Sequence, residues 1–426
     1  MTWNVCMAVL VVMATVWALI KRYETRLVLM TSGMVMALLS LKPLMAFQQF
    51  DKSMTNPALI IAICSAMGFA AVISLTKCDL HLVALLTKPL RRMGVFLLPA
   101  CAAVTGVVSI AIPSTAGCCA AVAPTLIPLM VRAGFHPAVA AAAVVGAITP
   151  AMVNPGISHN VFVAKLADMD VMTFIGHFSP VTFGLSALII VILTLVCVIY
   201  RDYCPNKDMS QFQTATTKTD GLPELPSNPR LLLAVAPLVP VVILIVASLW
   251  APQMKLSVAT AMLIGMIYAM AVTRTRPDEG IKQFFNGMGK GYANILGIII
   301  AAGVFAAGLR ASGVIDLFIN YLTEAQSVAR LGGALGPFVL ALMTGSGDAA
   351  AFAFNEAVTP HAAQFGMTIE GLGYLAALAG GLGRLASPLA GGMILVAGIA
   401  GVNPMDIVKR TAPAMVAALI VLYFIA

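Results

Sequence analysis

Four short stretches of this sequence place polar residues and helix breakers inside otherwise apolar runs. Two are AIPSTAGCC (111–119), with Ser114, Thr115 and Gly117, and MTGSGDAAA (343–351), with Gly345, Ser346, Gly347 and Asp348. The other two are TPAMVNPGIS (149–158), with Asn154 and Pro155, and GRLASPLAGG (383–392), with Arg384, Ser387 and Pro388. Gly and Ser at a break release backbone N–H and C=O groups that an apolar surrounding cannot leave unpaired. Pro removes a donor and stops the helix. Where a helix starts just after such a break, its dipole carries roughly half a positive charge, which favours an anion without a cationic side chain. The chemistry on offer is therefore non-covalent capture of a small anion, for which a dicarboxylate is well suited.

Among the ionisable residues, Asp348 and Arg384 stand out because a charge near the middle of a spanning helix costs about 2.5–3.5 kcal/mol even on the lenient insertion scale. Arg384 suits either a bidentate clamp on a substrate carboxylate or an ion pair with Asp348 or Glu356. Asp348 suits a cap on the helix that follows it, the favoured reading, or a carrier of a coupling proton. His159 follows the first-half break and is a candidate for substrate or proton contact. His81, His136, His177 and His361 fall at expected helix ends. No nucleophile–His–acid grouping, phosphate-binding loop or HExxH motif occurs, which argues against an enzyme or an ATP-driven pump. The eight Cys form no CxxC pair, so no metal site is expected.

The elements that must position these residues are membrane helices. Of 426 residues 60% are hydrophobic and only 10% charged, against about a quarter charged in ordinary globular domains. The net charge of +8 sits in short loops between apolar runs, so it reads as an orienting bias rather than a nucleic-acid footprint. Apolar segments fall at about 3–20, 27–47, 57–76, 95–112, 117–132, 136–150, 156–167 and 180–200. A polar, Pro-containing stretch from Arg201 to Arg230 reads as a flexible cytoplasmic linker. The series resumes at about 231–250, 256–273, 292–313, 334–344, 349–364, 371–383, 389–400 and 412–426. The first segment lacks a basic n-region and a cleavage site, and reads as a retained helix.

The halves match weakly at an offset of 233: Pro155 with Pro388, Val163 with Val396, Ala167 with Ala400 and Pro180 with Pro413. Arg384 has no such partner, since Ala151 occupies its counterpart position. The expected architecture is all-α and polytopic, with repeats at 1–200 and 231–426 joined by the linker at 201–230. In each repeat the fourth and fifth segments read as a re-entrant hairpin and the next pair as one broken span. Five crossings per half, one of them broken, is an odd number, so the second repeat is inverted, a pattern typical of secondary transporters. Basic residues at Lys21, Arg22, Arg26, Lys88, Arg91, Arg92, Arg274, Arg276, Lys282, Lys409 and Arg410 then share the cytoplasmic side. Leu80–Met93 reads as an amphipathic helix at that interface.

The motifs TGSGDAAAFAFNE (344–356), LGRLASPLAGGMILVAGIAG (382–401), VKRTAP (408–413) and ANILGIIIAAGVFAAGL (293–309) resemble the DcuC-type C4-dicarboxylate carriers of the ion-transporter superfamily. The first half is similar more loosely, through STAG and APTLIPLMVRAG. The resemblance implies exchange, uptake or efflux of fumarate, succinate or malate across a bacterial inner membrane, coupled to a cation gradient of H+ or Na+. It also implies a homodimer working as an elevator, with a scaffold from 1–93 and 231–330 and a transport domain from 94–200 and 331–426. The competing readings are a carrier of the same fold for another organic anion such as a monocarboxylate, a Na+/H+ exchanger, and a channel. Partners are expected to be the small substrate and the lipid bilayer, with no nucleic acid and no other cofactor.

Overall fold

The structure, a computed structural model, describes residues 3–21, 23–87, 94–112, 114–204, 226, 228–250, 256–314 and 326–425. Among them the regular elements are helices, and pairing outside helices is limited to an isolated bridge between Phe135 and Tyr203. The first series runs α1 (Trp3–Ile20), α2 (Thr25–Leu39), α3 (Pro43–Met54), α4 (Pro57–Thr76), α5 (Cys78–Thr87), α6 (Leu97–Ala111), α7 (Thr115–Arg132), α8 (Pro137–Gly146), α9 (Ser158–Leu166) and α10 (Val171–Ile199). The second runs α11 (Leu231–Val235), α12 (Val239–Trp250), α13 (Val258–Thr273), α14 (Pro277–Gly291), α15 (Gly297–Ser312), α16 (Gln326–Thr344), α17 (Gly347–Ala357), α18 (Ile369–Leu385), α19 (Gly391–Ala400) and α20 (Pro404–Ile425). Among the described residues, six helical stretches are long and apolar enough to cross a membrane. The chain is a multi-pass membrane protein.

Local chemistry accounts for most boundaries. Asn56 accepts from the Leu59 N–H and Pro57 opens α4, while Ser257 accepts from the Thr260 N–H at the start of α13. The run expected as one segment at 27–47 is two helices. Pro43 cannot continue α2, Leu41 turns with φ 57°, and α3 carries Gln48, Gln49, Asp51 and Lys52. Pro237 likewise divides the run at 231–250 into α11, a short 3-10 turn and α12. The apolar run expected to start at 292 extends back to Pro277 through a π-helical turn at Tyr292–Leu296. Although α14 is polar in composition, its glycines let it lie against α4. A methyl group on Gly287 would stand 2.5 Å from the Met67 carbonyl oxygen. The fifth segment, expected as a short re-entrant arm, is an 18-residue helix of spanning length with Pro124 and Pro128 inside it. Most of the linker, and residues 88–93 of the expected interfacial helix, lie outside the described residues.

Packing between the two series is reciprocal. Helix α4 packs on α13 and α14, and α15 packs on α2 and α3. Likewise α8 packs on α19, and α18 on α9. The centre of the molecule is α8, where every residue from Pro137 to Gly146 is buried. Small side chains there let helices approach closely in the absence of a hydrophobic force between them. All four stretches singled out in the sequence interrupt helices: between α6 and α7, between α16 and α17, between α8 and α9, and between α18 and α19.

Candidate functional site

Four helix starts face one cavity of about 490 Å³. Ser114, Thr115 and Ala116 bring the start of α7, Ile157, Ser158 and His159 that of α9, Ser346 and Asp348 that of α17, and Gly391 and Gly392 that of α19. The side chain of Ser114 accepts from Gly117 N–H at 3.3 Å. The N-cap positions of the other three helices, Ile157, Ser346 and Ala390, make no side-chain cap hydrogen bond. Their first-turn N–H groups are therefore available to a ligand. The facing wall comes from Met67 and Ala70 of α4 and from Ile295 in the π-helical turn, a distortion often found at functional positions.

The opposite ends of the broken helices present carbonyls, and amide side chains cover several of them. Asn154 Nδ2 donates to Ile110 O at 2.6 Å, and its Oδ1 accepts from Gly156 N–H at 2.7 Å. Asn160 Nδ2 donates to Met152 O at 2.6 Å and to Asn154 O at 3.1 Å. The negative ends are thus partly neutralised by donors, while the positive ends open on the cavity.

Three charged or chargeable side chains meet at the lip of α17. Arg384 Nη1 donates to both oxygens of Asp348, at 3.2 and 3.3 Å. His159 Nε2 stands 3.0 Å from Asp348 Oδ1, and its ring stacks on Phe352 with centroids 4.3 Å apart. The approach of α17 to α18 depends on glycine, since a methyl on Gly347 would sit 2.5 Å from the Gly380 carbonyl oxygen. At Gly345 the backbone adopts φ 76°, a conformation that glycine enters freely. Asp348 is thus an ion-pair partner; its carboxylate makes no capping bond to the α17 backbone among the described contacts. Three residues that line the cavity each hold a buried polar atom with no hydrogen-bond partner among the described residues: His159 Nδ1, Arg384 Nε and Thr149 Oγ1. Such groups are costly unless something pairs with them.

Of the twelve residues expected at the site, Ser114, Thr115, Gly345, Ser346, Asp348 and Arg384 line the cavity. Gly117, Asn154, Pro155, Gly347, Ser387 and Pro388 do not. Asn154 turns instead toward a small crevice with Ala66, Phe69 and Met262, because its amide is committed to the backbone of the break. Ser387 is fully buried and its hydroxyl accepts from Leu389 N–H. Residues that sequence reasoning did not place at the site include Thr149, Met67, Ala70 and Ile295. Only the TPAMV break offered a signal for Thr149; the α4 wall offered none. Among the described residues no group of His, Cys, Asp and Glu side chains could hold a metal ion.

A second polar cluster lies apart from the cavity. Gln49 of α3 donates to Glu356 of α17 at 3.3 Å and accepts from Arg310 of α15 at 3.2 Å. Separately, Arg410 binds both oxygens of the buried Asp202 and lies over the Tyr200 ring. This clamp fixes the start of the linker to α20, a more specific role than the general interfacial anchoring expected of Arg410.

The family model for the C4-dicarboxylate anaerobic carrier, DcuC, matches residues 43–426. An uncharacterised transporter of Haemophilus influenzae is 42% identical over 277 residues, covering 64% of this chain and 98% of that protein. The anaerobic C4-dicarboxylate transporter DcuC of Escherichia coli K12 is 28% identical over 368 residues, 83% of this chain and 77% of its own length. The crystal structure of the Alcanivorax borkumensis YdaH transporter superposes with a TM-score of 0.59 at 16% identity, covering 89% of this chain and 86% of that one. At that identity the likeness speaks to the fold alone.

Proposed function

We infer what this chain carries from one premise: it belongs to the DcuC family of C4-dicarboxylate anaerobic carriers. Its work is transport rather than catalysis, and C4-dicarboxylates are the substrate class of that family. We propose fumarate, succinate and malate as the substrates, held in the cavity between α4 and the four helix starts.

The observation that carries this reading is the convergence of those starts. Each contributes roughly half a positive charge, so four sum to about two, the charge of a fully ionised dicarboxylate. The Arg384–Asp348 pair is neutral by itself and leaves that balance unchanged. A monocarboxylate would leave about half of the field uncompensated. A Na+/H+ exchanger would have no use for a cluster of helix N-termini. In this reading Ser114, Thr115, Gly345, Ser346, Asp348, Arg384, His159 and Thr149 contact or orient the substrate. Gly117, Asn154, Pro155, Gly347, Ser387 and Pro388 build the breaks that expose the N–H groups.

We further propose that the two series are inverted repeats and that 94–200 with 331–426 moves as an elevator against 1–93 with 231–330. The reciprocal packing of α4 with α14 and of α15 with α3 is what a two-fold exchange of the halves would produce. Placement of the cavity between α4 and the mobile helix starts supports movement of one body past the other. A homodimer in a bacterial inner membrane, with exchange or coupling to H+ or Na+, completes the proposal. The test is purified protein in liposomes loaded with succinate, assayed for exchange with labelled fumarate, malate, acetate and citrate. Saturable counterflow of the C4 acids is expected; movement of another solute with no C4 exchange would overturn the substrate assignment.

A further inference from the structure

Arg26 stands where a helix least favours a cation. It lies in the first turn of α2, at the positive end of the helix dipole. Its guanidinium reaches to another helix, where Nη1 donates to Ala293 O at 2.7 Å. Nε donates to Glu24, the N-cap residue of α2. That ion pair is half-exposed and contributes little by itself, but it aims the guanidinium. The stem crosses Gly297, where a methyl group would stand 3.1 Å from Arg26 Cδ.

Ala293 O needs this donor because of the π-helical turn at Tyr292–Leu296. In a regular α-helix the Gly297 N–H would serve Ala293 O, four residues back. Here it bonds to Tyr292 O, five residues back. The stretch from Pro277 to Ser312 is long and apolar enough to span a membrane, and a carbonyl released there is costly without a donor. Arg26 supplies one. A second prop holds the turn from the other side, since the Tyr292 hydroxyl donates to Met54 O at 3.2 Å. Met54 is the last residue of α3, whose terminal carbonyls have no partner within their own helix.

Both flanks of the turn are fixed in rotation by close packing. On the α14 side, methyl groups on Gly287 and Gly291 would stand 2.5 and 3.0 Å from atoms of Met67. On the α15 side, a methyl on Gly308 would stand 2.4 Å from the Gly33 carbonyl oxygen of α2. Closing the π turn to a regular α-helix would rotate one flank against the other by about 100°. The turn thus lets both glycine faces meet their partners, and it presents Ile295 to the cavity beside Met67. We propose that Arg26 is a positioning residue of this carrier: by pairing the carbonyl that the π turn releases, it keeps the turn from closing and holds Ile295 in the wall facing the helix starts. The inference rests on the reading of that cavity as the substrate site and adds the device that sets its wall.

The experiment is thiol accessibility in the purified full-length protein, with the exposed Cys6 and the half-buried Cys204 replaced by Ser. A single Cys is placed at Ile295 or, as a control on the opposite wall, at Ala116, and its reaction with a sulfonated methanethiosulfonate is timed with and without succinate. Both positions are expected to react, and succinate to slow both. Adding Arg26→Ala is expected to slow Ile295→Cys on the order of tenfold, the weight of one hydrogen bond from a charged donor, and to leave Ala116→Cys unchanged. Arg26→Lys keeps a cationic donor and is expected to restore most of the rate. Tyr292→Phe, which removes one hydroxyl, is expected to slow position 295 in the same direction, and it decides the matter if Arg26→Ala does not fold. An unreactive Ile295→Cys, equal rates with Arg and Ala at 26, an equal fall at both positions, or a Lys variant as slow as Ala would each overturn the proposal. The expected rates with no protection by succinate at either position would leave the wall device standing and overturn the substrate reading.

Discussion

Replacing Arg384 by Ala removes a guanidinium whose Nη1 is held by Asp348 and whose Nε is buried without a partner. On our account the substrate carboxylate takes the free edge of that group. A hydrogen bond to a charged group contributes about 1.5–3 kcal/mol, so its loss is expected to weaken succinate binding on the order of 10- to 150-fold. The truncation also leaves the Asp348 carboxylate facing an anionic ligand, which pushes the loss toward the upper end. Unfolding is not the cause, because the pair is partly open to the cavity, with side chains 27% and 38% exposed. Its contribution to stability is about 1 kcal/mol or less. The assay is calorimetric titration of succinate into purified Arg384→Ala, Arg384→Lys and the double variant Arg384→Ala with Asp348→Asn, each checked for a single size-exclusion peak. Lys is expected to be intermediate, and the double variant to regain part of the loss. Near wild-type affinity in a folded Arg384→Ala would refute the reasoning and remove Arg384 from the site.

Other perturbations test the parts around it. Gly345→Ala forces a Cβ to about 2.8 Å from the Leu389 carbonyl at φ 76°, adding about 1–2 kcal/mol of backbone strain alone. Counterflow is expected to collapse there and to survive in the open-space control Gly398→Ala; equal activity in both would contradict the close packing of the tip. Arg410→Ala leaves Asp202, only 5% exposed, without its partner, and is expected to cost about 3–5 kcal/mol, read as a lowered melting temperature in detergent. An unchanged melting temperature would deny the linker clamp its role. Gln49→Leu cuts the amide link between Glu356 and Arg310, a contact between the proposed moving and fixed bodies. Faster exchange at unchanged succinate affinity is expected, and an unchanged rate would argue against movement at that surface.

Much of the fold was legible because Gly, Pro and Ser mark interruptions in an apolar background. Pro155, Pro388, Ser114 and Ser346 located the four breaks on which the cavity rests. The split between α2 and α3 was equally readable from Pro43, yet an apolar stretch from 27 to 47 masked it. Composition also hid α14, whose polar face conceals a glycine stripe fitted to α4. At the site, helix starts were readable but side-chain direction was not. Asn154 points to Ile110 because an orphaned carbonyl 44 positions away needs a donor, and no local pattern records that need. The bond of His159 to Asp348 spans 189 positions. The capping role favoured for Asp348 gave way to two partners that only the tertiary arrangement supplies. Met67 and Ala70 belong to an ordinary apolar helix and reveal nothing until α4 is laid across the cavity.

The most direct test is a structure of the full-length protein determined with succinate bound. Density for the ligand is expected between α4 and the first turns of α7, α9, α17 and α19, with its carboxylate oxygens within hydrogen-bond distance of the N–H groups following Ser114, Ile157, Ser346 and Ala390. Succinate found elsewhere, or in this cavity with its carboxylates turned away from those helix starts, would contradict the account.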